Sequence, residues 1–198
     1  IMLYVATKKP FYLFAGLGSG CGAAVIAYFL FSHVRQRVVA WKNPFSVYQN
    51  EGYQIVQGLF AIGTGGWFGM GLCQGSPEMI PFVKQDYMFA AICEELGGLF
   101  AICMILICMS MFLLVVNISL RIKKRFYKLI ALGLGTEYAF QVFLTIGGVT
   151  KFIPMTGITL PLVSYGGSSV LSTIIMLSFI QGLYIFREDE GEEFEKQK

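Results

Sequence analysis

Long uncharged runs of apolar residues limit most strongly what this chain can fold into. A bilayer core about 30 Å thick requires roughly 20 apolar residues in each spanning helix. No Asp, Glu, Lys or Arg occurs at 10–34 or at 96–120, and only Glu137 interrupts the apolar stretch 129–149. A fourth apolar stretch covers 170–186. These runs predict an all-α, polytopic membrane protein with about four spanning helices.

The composition agrees with a membrane protein and argues against several kinds of enzyme site. Charged residues make up 14% of the 198 positions and hydrophobic residues 56%, whereas soluble domains contain about 25% charged residues. The five cysteines lie in or beside apolar runs without CxxC spacing, which favours small buried side chains over disulfides or a zinc site. His33 is the only histidine. We expect it to be an interfacial polar residue, so a catalytic triad or a multi-histidine metal site has little support.

The first residues of the chain are apolar but too few to cross a bilayer. We interpret residues 1–7 as the last turns of a helix that begins before the chain does. Residues 10–32 then form a spanning helix, and its glycines at 16, 18, 20 and 22 favour close packing against other helices in lipid. We expect residues 1–198 to form one membrane domain, the C-terminal part of a larger fold.

Basic residues cluster at three places and predict the orientation. Ten of the 15 lysines and arginines lie at 8–9, 121–128 and 187–198, and the positive-inside rule assigns these segments to the cytoplasm. Residues 33–86 then form a large outer loop, 151–167 a second one, and 187–198 a cytoplasmic tail. Four basic residues in the first outer loop are exceptions: Arg35, Arg37, Lys42 and Lys84. Either this loop is near the length at which the rule fails, or these residues bind an anionic ligand at the outer surface.

Both outer segments contain residues that disfavour regular helices. Residues 52–77 carry eight glycines and no charge, which predicts a re-entrant or interfacial segment that lines a polar cavity rather than a regular spanning helix. The second outer segment contains Pro154, Pro161 and the pair Gly166 and Gly167, so it is also expected to be irregular. We expect the two segments to share a crevice.

Asp86 stands immediately before an apolar run, where two interpretations remain open. The simpler one is a helix N-cap that accepts backbone N–H bonds. The other is a general base that takes the proton of a sugar hydroxyl as its oxygen attacks an anomeric carbon. The leaving group of such a transfer at a membrane is a lipid pyrophosphate, and Arg35, Arg37 and Lys84 are candidate cations for its charge. The alternative for these cations is a solvated loop that binds lipid headgroups.

Four polar residues lie within the predicted spans. Ionised carboxylates are costly at membrane depth, so at least one of Glu94 and Glu95 needs a partner. Functional pairing and a helix–helix salt bridge are both open, and we favour the structural salt bridge. Glu137 and Gln141, one helical turn apart, receive the same interpretation.

Three sequence strings carry a resemblance to a known family. They are GYQIVQGLFAIGTGGWFGMGLCQGS, QDYMFAAICEELG and IPMTGITLPLVSYGGSS, and the last is the most specific. In this order and at these separations they resemble the FtsW/RodA/SpoVE, or SEDS, family of bacterial membrane glycosyltransferases. The resemblance covers nearly the whole chain, including the basic string VRQRVVAWKNPF. Because family members have ten spanning helices, it implies about the C-terminal half of that fold.

The resemblance implies a polymerase of lipid II in the bacterial cytoplasmic membrane. Such a protein forms β-1,4 glycan strands at the outer face, releases undecaprenyl pyrophosphate, and works beside a class B penicillin-binding protein that cross-links the strands. The essential aspartate of the family falls on Asp86. Loop positions associated with substrate fall, less closely, on Arg35, Arg37, Gln57, Gln74, Glu78 and Lys84, and the terminal signature falls on Ser164, Tyr165, Gly166 and Ser168. Departures from the family pattern are Gln85, Thr145 and Lys151.

The same resemblance limits the expected cofactors and activity. We expect no protein-bound metal site, Mg²⁺ or Mn²⁺ only in association with the substrate pyrophosphate, and no nucleic-acid partner. The missing upstream helices imply that the chain alone is inactive, and the strings do not separate division, elongation and sporulation members. Two other functions stay open: a lipid II transporter or flippase, which a basic crevice also suits, and a non-catalytic scaffold for cell-wall synthesis proteins.

Overall fold

The computed structural model describes residues 2–49 and 51–196, and for Glu51 and residues 186–196 it describes the backbone alone. Within these residues the protein is built of helices without a strand. The α-helices are α1 (Met2–Thr7), α2 (Phe11–Leu30), α3 (Ser32–Lys42), α4 (Glu51–Gly65), α5 (Met88–Arg121), α6 (Arg125–Val149) and α7 (Gly167–Lys196). Four of them, α2, α5, α6 and α7, are long and apolar enough to cross a membrane. The predicted all-α polytopic fold is confirmed.

The helix bounds differ from the predicted ones mainly at the ends of the spans. α5 begins at Met88 and α6 at Arg125, so each extends beyond its uncharged run by at least four residues. The backbone of α7 continues as helix from Gly167 through Lys196, which includes most of the segment predicted as a tail. Its last two residues lie outside the described part of the chain. Charges limit the membrane-embedded part of a helix, whereas the helix itself continues into water.

The N-terminal helices pack loosely against the rest of the described chain. α1 confirms the expected helical turns before residue 8, and the Met2 side chain contacts Gly133 on α6. α2 buries none of its residues, and an added Cβ at any of its four glycines meets nothing within 4 Å. The close packing expected for these glycines is therefore not found among the described residues.

The core lies where α4, α5 and α6 meet. Tyr87, Ala90 and Leu160 are almost fully inaccessible there, and α5 supplies more of the buried apolar side chains than any other described element. The mixed sizes of these side chains allow close helix approach. α3 packs against α4. The short 3-10 turn between them, Pro44–Val47, also packs against α4, and its Pro44 is buried. α5 itself packs against α4 and α6.

A break in α5 receives the glycine-rich segment that follows α4. Gly97 has φ 84° and ψ 172°, which interrupts the helix. On one side of the break the carbonyls of Glu94 and Glu95 accept bonds from Met70 N–H (2.9 Å) and Gly71 N–H (3.0 Å). On the other side Gly98 N–H and Leu99 N–H donate to carbonyls of the same segment, those of Gly66 (2.8 Å) and Trp67 (3.2 Å). The irregular backbone predicted here is confirmed from Gly66 onward, whereas α4 before it is a regular helix.

Candidate functional site

The Asp86 carboxyl group lies in a half-buried position at the start of α5. Tyr87 occupies the N-cap position of that helix, and no side-chain cap is formed, so the N-cap interpretation of Asp86 is wrong. Oδ1 is buried without a hydrogen-bond partner in the described structure. Oδ2 points toward Gly157, where an added Cβ would lie 4.0 Å from it. A carboxylate with an unused buried oxygen retains the capacity to accept a proton.

Arg37 connects this carboxylate to the loop between α6 and α7. Its Nη1 donates to the carbonyl oxygens of Met155 (3.4 Å) and Thr156 (3.3 Å), and its charge acts on Asp86. One turn later on α3, Trp41 Nε1 donates to the Lys151 carbonyl (3.0 Å). α3 thus holds the loop beside Asp86 at two points.

The surroundings of Asp86 make it a stronger base than a free aspartate. Burial raises the pKa of the Asp86 carboxyl above its ordinary value, because the charged form loses hydration. A backbone hydrogen bond, the Arg37 charge and the Gln54 amide lower this pKa and offset part of the rise. The Gln54 amide is held in place by its bond to the Pro81 carbonyl (3.1 Å). A base with a raised pKa is better matched to proton abstraction near neutral pH.

Tyr87 fixes the segment that carries the carboxylate. Its ring is fully buried against Gly58 of α4, and its hydroxyl has no partner in the described structure. Burial, with a smaller effect from the Asp86 charge, raises the pKa of the Tyr87 phenol. Gly58 has no side chain to keep the ring away, so Asp86 is placed by the adjacent buried aromatic. The aromatic-to-glycine contact joins residues 29 positions apart and is not visible as a motif.

Side chains of α6 hold the same loop from the other side. Gln141 Nε2 donates to the Thr159 carbonyl (3.0 Å) and to Ser169 Oγ (3.4 Å), and Thr145 Oγ1 donates to the Ile158 carbonyl (3.0 Å). Gln141 therefore binds both the loop and, through Ser169, the start of α7, and no bond to Glu137 is formed in the described structure. Glu137 itself is exposed on α6. Thr145, a departure from the family pattern, still supplies a hydroxyl that the loop uses.

A crevice of about 710 Å³ lies behind the segment that carries Asp86. Its lining includes four predicted site residues: Lys84, Ser164, Tyr165 and Gly166. Apolar residues of α7 line the rest, among them Val170, Leu171 and Ile174. Tyr165 N–H donates to the Lys84 carbonyl (2.7 Å), so the two outer segments are joined there as expected. The Ser164 hydroxyl is buried and accepts a bond from Leu160 N–H (3.0 Å), which gives it a structural role. Lys84 and Tyr165 are exposed at the mouth.

The remaining predicted site residues are not gathered around Asp86. Arg35 Nη2 donates to the Phe29 carbonyl (3.4 Å), and its guanidinium lies 5.8 Å from the centre of the Tyr28 ring. Gln57 Nε2 donates to the Tyr48 hydroxyl (3.2 Å). Three others are exposed without a side-chain bond in the described structure: Gln74, Glu78 and Ser168.

Comparison with known proteins identifies the family. A profile of the FTSW_RODA_SPOVE family, described as "Cell cycle protein", matches residues 1–188. The chain belongs to this family. The peptidoglycan glycosyltransferase RodA of Mycobacterium tuberculosis is 42% identical over 186 residues, which cover 91% of this chain and 38% of RodA. The probable peptidoglycan glycosyltransferase FtsW of Aliivibrio salmonicida is 32% identical over 208 residues, which cover all of this chain and 52% of FtsW.

A solved structure shows the same fold. One chain of a peptidoglycan synthase complex, studied for the coordination of polymerization and crosslinking, superposes with a TM-score of 0.74 at 22% identity. The match covers 94% of this chain and 52% of that chain. The chain thus spans about half or less of the length of these FtsW, RodA and structural relatives. It is a multi-pass membrane protein of the FtsW/RodA/SpoVE fold.

Within this family fold, Glu94 has a different partner from the one predicted. The side chain is buried, and its Oε1 accepts a bond from Ser76 N–H (3.0 Å) at the end of the glycine-rich segment. No ion pair of Glu94 or Glu95 is formed among the described residues, so the favoured helix–helix salt bridge is wrong. The Glu94 carboxylate instead accepts a hydrogen bond from a backbone N–H group that lies outside any α-helix.

Protein ligands for a metal ion are not clustered in the described part of the chain. No group of three or more His, Cys, Asp or Glu side chains is close enough to hold an ion there. The charged neighbour of Asp86 is the Arg37 guanidinium, which suits an anion rather than a cation. These residues do not fit a protein-bound metal, and Mg²⁺ or Mn²⁺ remains a prediction that concerns the substrate pyrophosphate.

Proposed function

We propose that this protein polymerises lipid II at the outer face of the bacterial cytoplasmic membrane, with Asp86 as the general base. The observation that carries the proposal is the Asp86 carboxyl group, half-buried and made more basic by burial, beside an exposed loop that polar side chains hold in place. Similarity to proteins named peptidoglycan glycosyltransferase supports the reaction class.

The proposed reaction uses Asp86 as a base and Lys84 as a cation. Asp86 accepts the proton of the acceptor sugar 4-hydroxyl as that oxygen forms a bond to the anomeric carbon of the donor sugar. The bond from that carbon to the diphosphate breaks, and undecaprenyl pyrophosphate leaves with the electron pair. Lys84 at the crevice mouth neutralises charge on the leaving group, and the apolar residues Val170, Leu171 and Ile174 of the crevice accommodate the polyprenyl chain.

In this mechanism Arg37 is a positioning residue. Its guanidinium already donates to two loop carbonyls and lies near Asp86. It therefore sets the loop position and the basicity of the carboxylate, and Lys84 is the better candidate for the diphosphate. The role assigned to Arg35 as a leaving-group cation has less support, because its side chain turns toward Phe29 and Tyr28.

The proposal includes an orientation and a partner. The Asp86 end faces the extracytoplasmic side and the C-terminus the cytoplasm, as the distribution of lysine and arginine indicates. A class B penicillin-binding protein is the proposed partner, because a related fold occurs in a peptidoglycan synthase complex.

The test is lipid II polymerisation by the protein expressed at the full length of its gene. Asp86→Asn keeps the size of the side chain but removes the base, and we expect the rate to fall at least about 100-fold. Asp189→Asn, the same change in the acidic tail, is the matched control and keeps the rate. Retained polymerisation by Asp86→Asn contradicts the assignment.

The same variant separates the enzyme from the alternatives. A lipid II transporter that binds its substrate through Lys84 continues to move lipid II with asparagine at position 86. A scaffold shows no glycan product in either form while its transpeptidase partner still localises. Loss of glycan product in Asp86→Asn with retained lipid II binding supports Asp86 as the general base.

A further inference from the structure

A second crevice lies at the opposite end of the spanning helices from Asp86. It has a volume of about 740 Å³ and lies between the turn that joins α5 to α6 and the middle of α7. α5 contains 34 residues, so at 1.5 Å per residue roughly 50 Å of helix separate the crevice from Asp86. The proposed glycosyl transfer gives this crevice no role.

The lining of the second crevice is divided by polarity. The polar part contains Lys123, Lys124, Tyr127 and Ser178. The Lys124 ammonium lies 6.0 Å from the centre of the Tyr127 ring, a cation–π contact that keeps the charge near the mouth. Five of the eight residues in 121–128 are basic. Positive charge is therefore concentrated at the turn between α5 and α6, beside the crevice.

The apolar part of the lining continues along the spanning helices. Ile130 of α6 and Phe179 and Leu183 of α7 lie there, and Phe126 stands at the mouth. Phe126 and Phe179 are 69% and 62% exposed in the described structure. A soluble anion leaves this apolar surface uncovered, whereas a lipid with a charged head and an acyl chain covers both parts.

We propose that the second crevice binds an anionic phospholipid of the surrounding bilayer. Its phosphate lies between Lys123 and Lys124, and one acyl chain follows Ile130, Phe179 and Leu183. Basic pockets between spanning helices at the membrane surface bind acidic headgroups in this way. The site is independent of Asp86 and of the proposed polymerase activity.

Native mass spectrometry of the protein at the full length of its gene tests the site. The protein is released from nanodiscs of phosphatidylcholine with or without phosphatidylglycerol, and the retained lipid is identified. We expect phosphatidylglycerol to be retained, and the double variant Lys123→Gln/Lys124→Gln to lower its apparent affinity about tenfold or more. Arg125→Gln/Lys128→Gln is the matched control, because it removes the same charge from the same segment at residues that do not line the crevice.

A second variant fills the crevice and leaves both lysines in place. Gly182 lines the crevice, and a Cβ added there meets nothing within 4 Å in the described structure. Gly182→Leu is therefore expected to abolish retention of phosphatidylglycerol without disturbing the fold, and an unchanged elution profile checks the fold. Gly20→Leu on the exposed face of α2, where an added Cβ also meets nothing, is the control.

Three results overturn the proposal. Equal loss in the two double variants shows attraction to the basic segment as a whole, with no defined site. Full retention in Gly182→Leu shows that the lipid binds elsewhere. Preferential retention of a polyprenyl diphosphate over phosphatidylglycerol assigns the crevice to the substrate of the proposed reaction instead.

Discussion

Two features of the Asp86 surroundings shift the pKa of its carboxyl group in opposite directions. Burial raises its pKa, whereas the nearby Arg37 charge lowers it. Only the ionised form accepts a proton, so the proposed polymerisation slows as the pH falls through this pKa. The position of the acidic limb of the pH–rate profile therefore depends on burial, which raises the pKa, and on the backbone hydrogen bond, the Arg37 charge and the Gln54 amide, which lower it.

Replacement of Arg37 is expected to move that acidic limb. Arg37→Gln removes the stabilising charge, so the pKa of Asp86 rises further and the limb of kcat/KM moves to higher pH. Arg37→Lys retains the charge, and its limb stays nearer that of the wild type. The measurement is the pH dependence of lipid II polymerisation by the protein at the full length of its gene.

Arg35→Gln is the matched control for this prediction. It removes the same charge from the same helix, but its side chain contacts Phe29 and Tyr28 rather than the loop at Met155. We expect its acidic limb to stay in place. Equal shifts in Arg35→Gln and Arg37→Gln indicate a general change of surface charge and contradict the specific role of Arg37.

Glu94 presents a second carboxylate with a role in structure. Its Oε1 accepts the Ser76 N–H bond, and the side chain is buried. Glu94→Ala leaves that N–H without its partner, and we expect a loss of about 1–3 kcal/mol in stability. Glu94→Gln keeps an oxygen that accepts the bond and is expected to lose less.

Thermal unfolding in detergent and limited proteolysis of residues 66–76 measure this effect. The alanine variant unfolds at a lower temperature and is cut faster in that segment than the glutamine variant. If glutamine is as damaging as alanine, the negative charge of Glu94 matters beyond the hydrogen bond to Ser76.

At the scale of elements, the break in α5 and the glycine-rich segment depend on each other. Four backbone bonds join them across Gly97, and a Cβ on Gly97 would overlap backbone atoms of Trp67, Phe68 and Gly69. The conformation of Gly97 is one that residues with a side chain rarely adopt. The close backbone contacts and the backbone conformation therefore both require glycine at position 97.

Gly97→Ala is therefore expected to be strongly destabilising. The strain of the backbone conformation alone costs on the order of 2 kcal/mol or more, and the overlap adds to it. Gly63→Ala in α4 is the control, because nothing lies within 4 Å of its added Cβ and alanine favours a helix. Thermal unfolding of the two variants is measured, and equal unfolding temperatures contradict the proposed dependence of the glycine-rich segment on Gly97.

The sequence predicted the kinds of elements better than their partners. Eight glycines in 52–77 indicated irregular backbone, yet α4 is a regular helix as far as Gly65, because packing on α5 compensates for the low helix propensity of glycine. Gly65 lies directly against the backbone of Cys93 and Glu94. Its small size serves close packing, which a count of glycines does not distinguish from a helix break.

The candidate site was predictable where a motif carried it and not where distant residues meet. Asp86 lies in the string QDYMFAAICEELG and Lys84 directly precedes it, whereas the Arg37 bonds to the Met155 and Thr156 carbonyls cross more than 100 positions. Gln141 was read as part of a pair with Glu137, because helical spacing places the two residues together. Its actual partners are the Thr159 carbonyl in the loop and the Ser169 hydroxyl on α7, whose positions only the folded chain shows.

At the scale of the whole molecule, the two proposed sites lie at opposite ends of the described spanning helices. The Asp86 carboxyl group and its loop lie at one end of α5, and the basic turn with the second crevice lies at the other. The number of spans followed directly from the gaps between charges, because each gap must match the bilayer thickness. A packing partner for the glycines of α2 was not predictable and is not found among the described residues, because glycine spacing does not name one.

The two-ended arrangement gives a test of orientation through a native cysteine. Cys73 is exposed in the segment between α4 and α5, and no helix long enough to span lies between it and Asp86. Both residues therefore face the same side of the membrane. A membrane-impermeant maleimide added to protoplasts is expected to label Cys73, and Cys73→Ser is expected to lose this labelling. Arg125→Cys in the Cys73→Ser background is expected to react only after permeabilisation, because it lies at the other end of α5. Labelling of Cys73 only after permeabilisation would place Asp86 in the cytoplasm, where no lipid II exposed at the outer face could reach it.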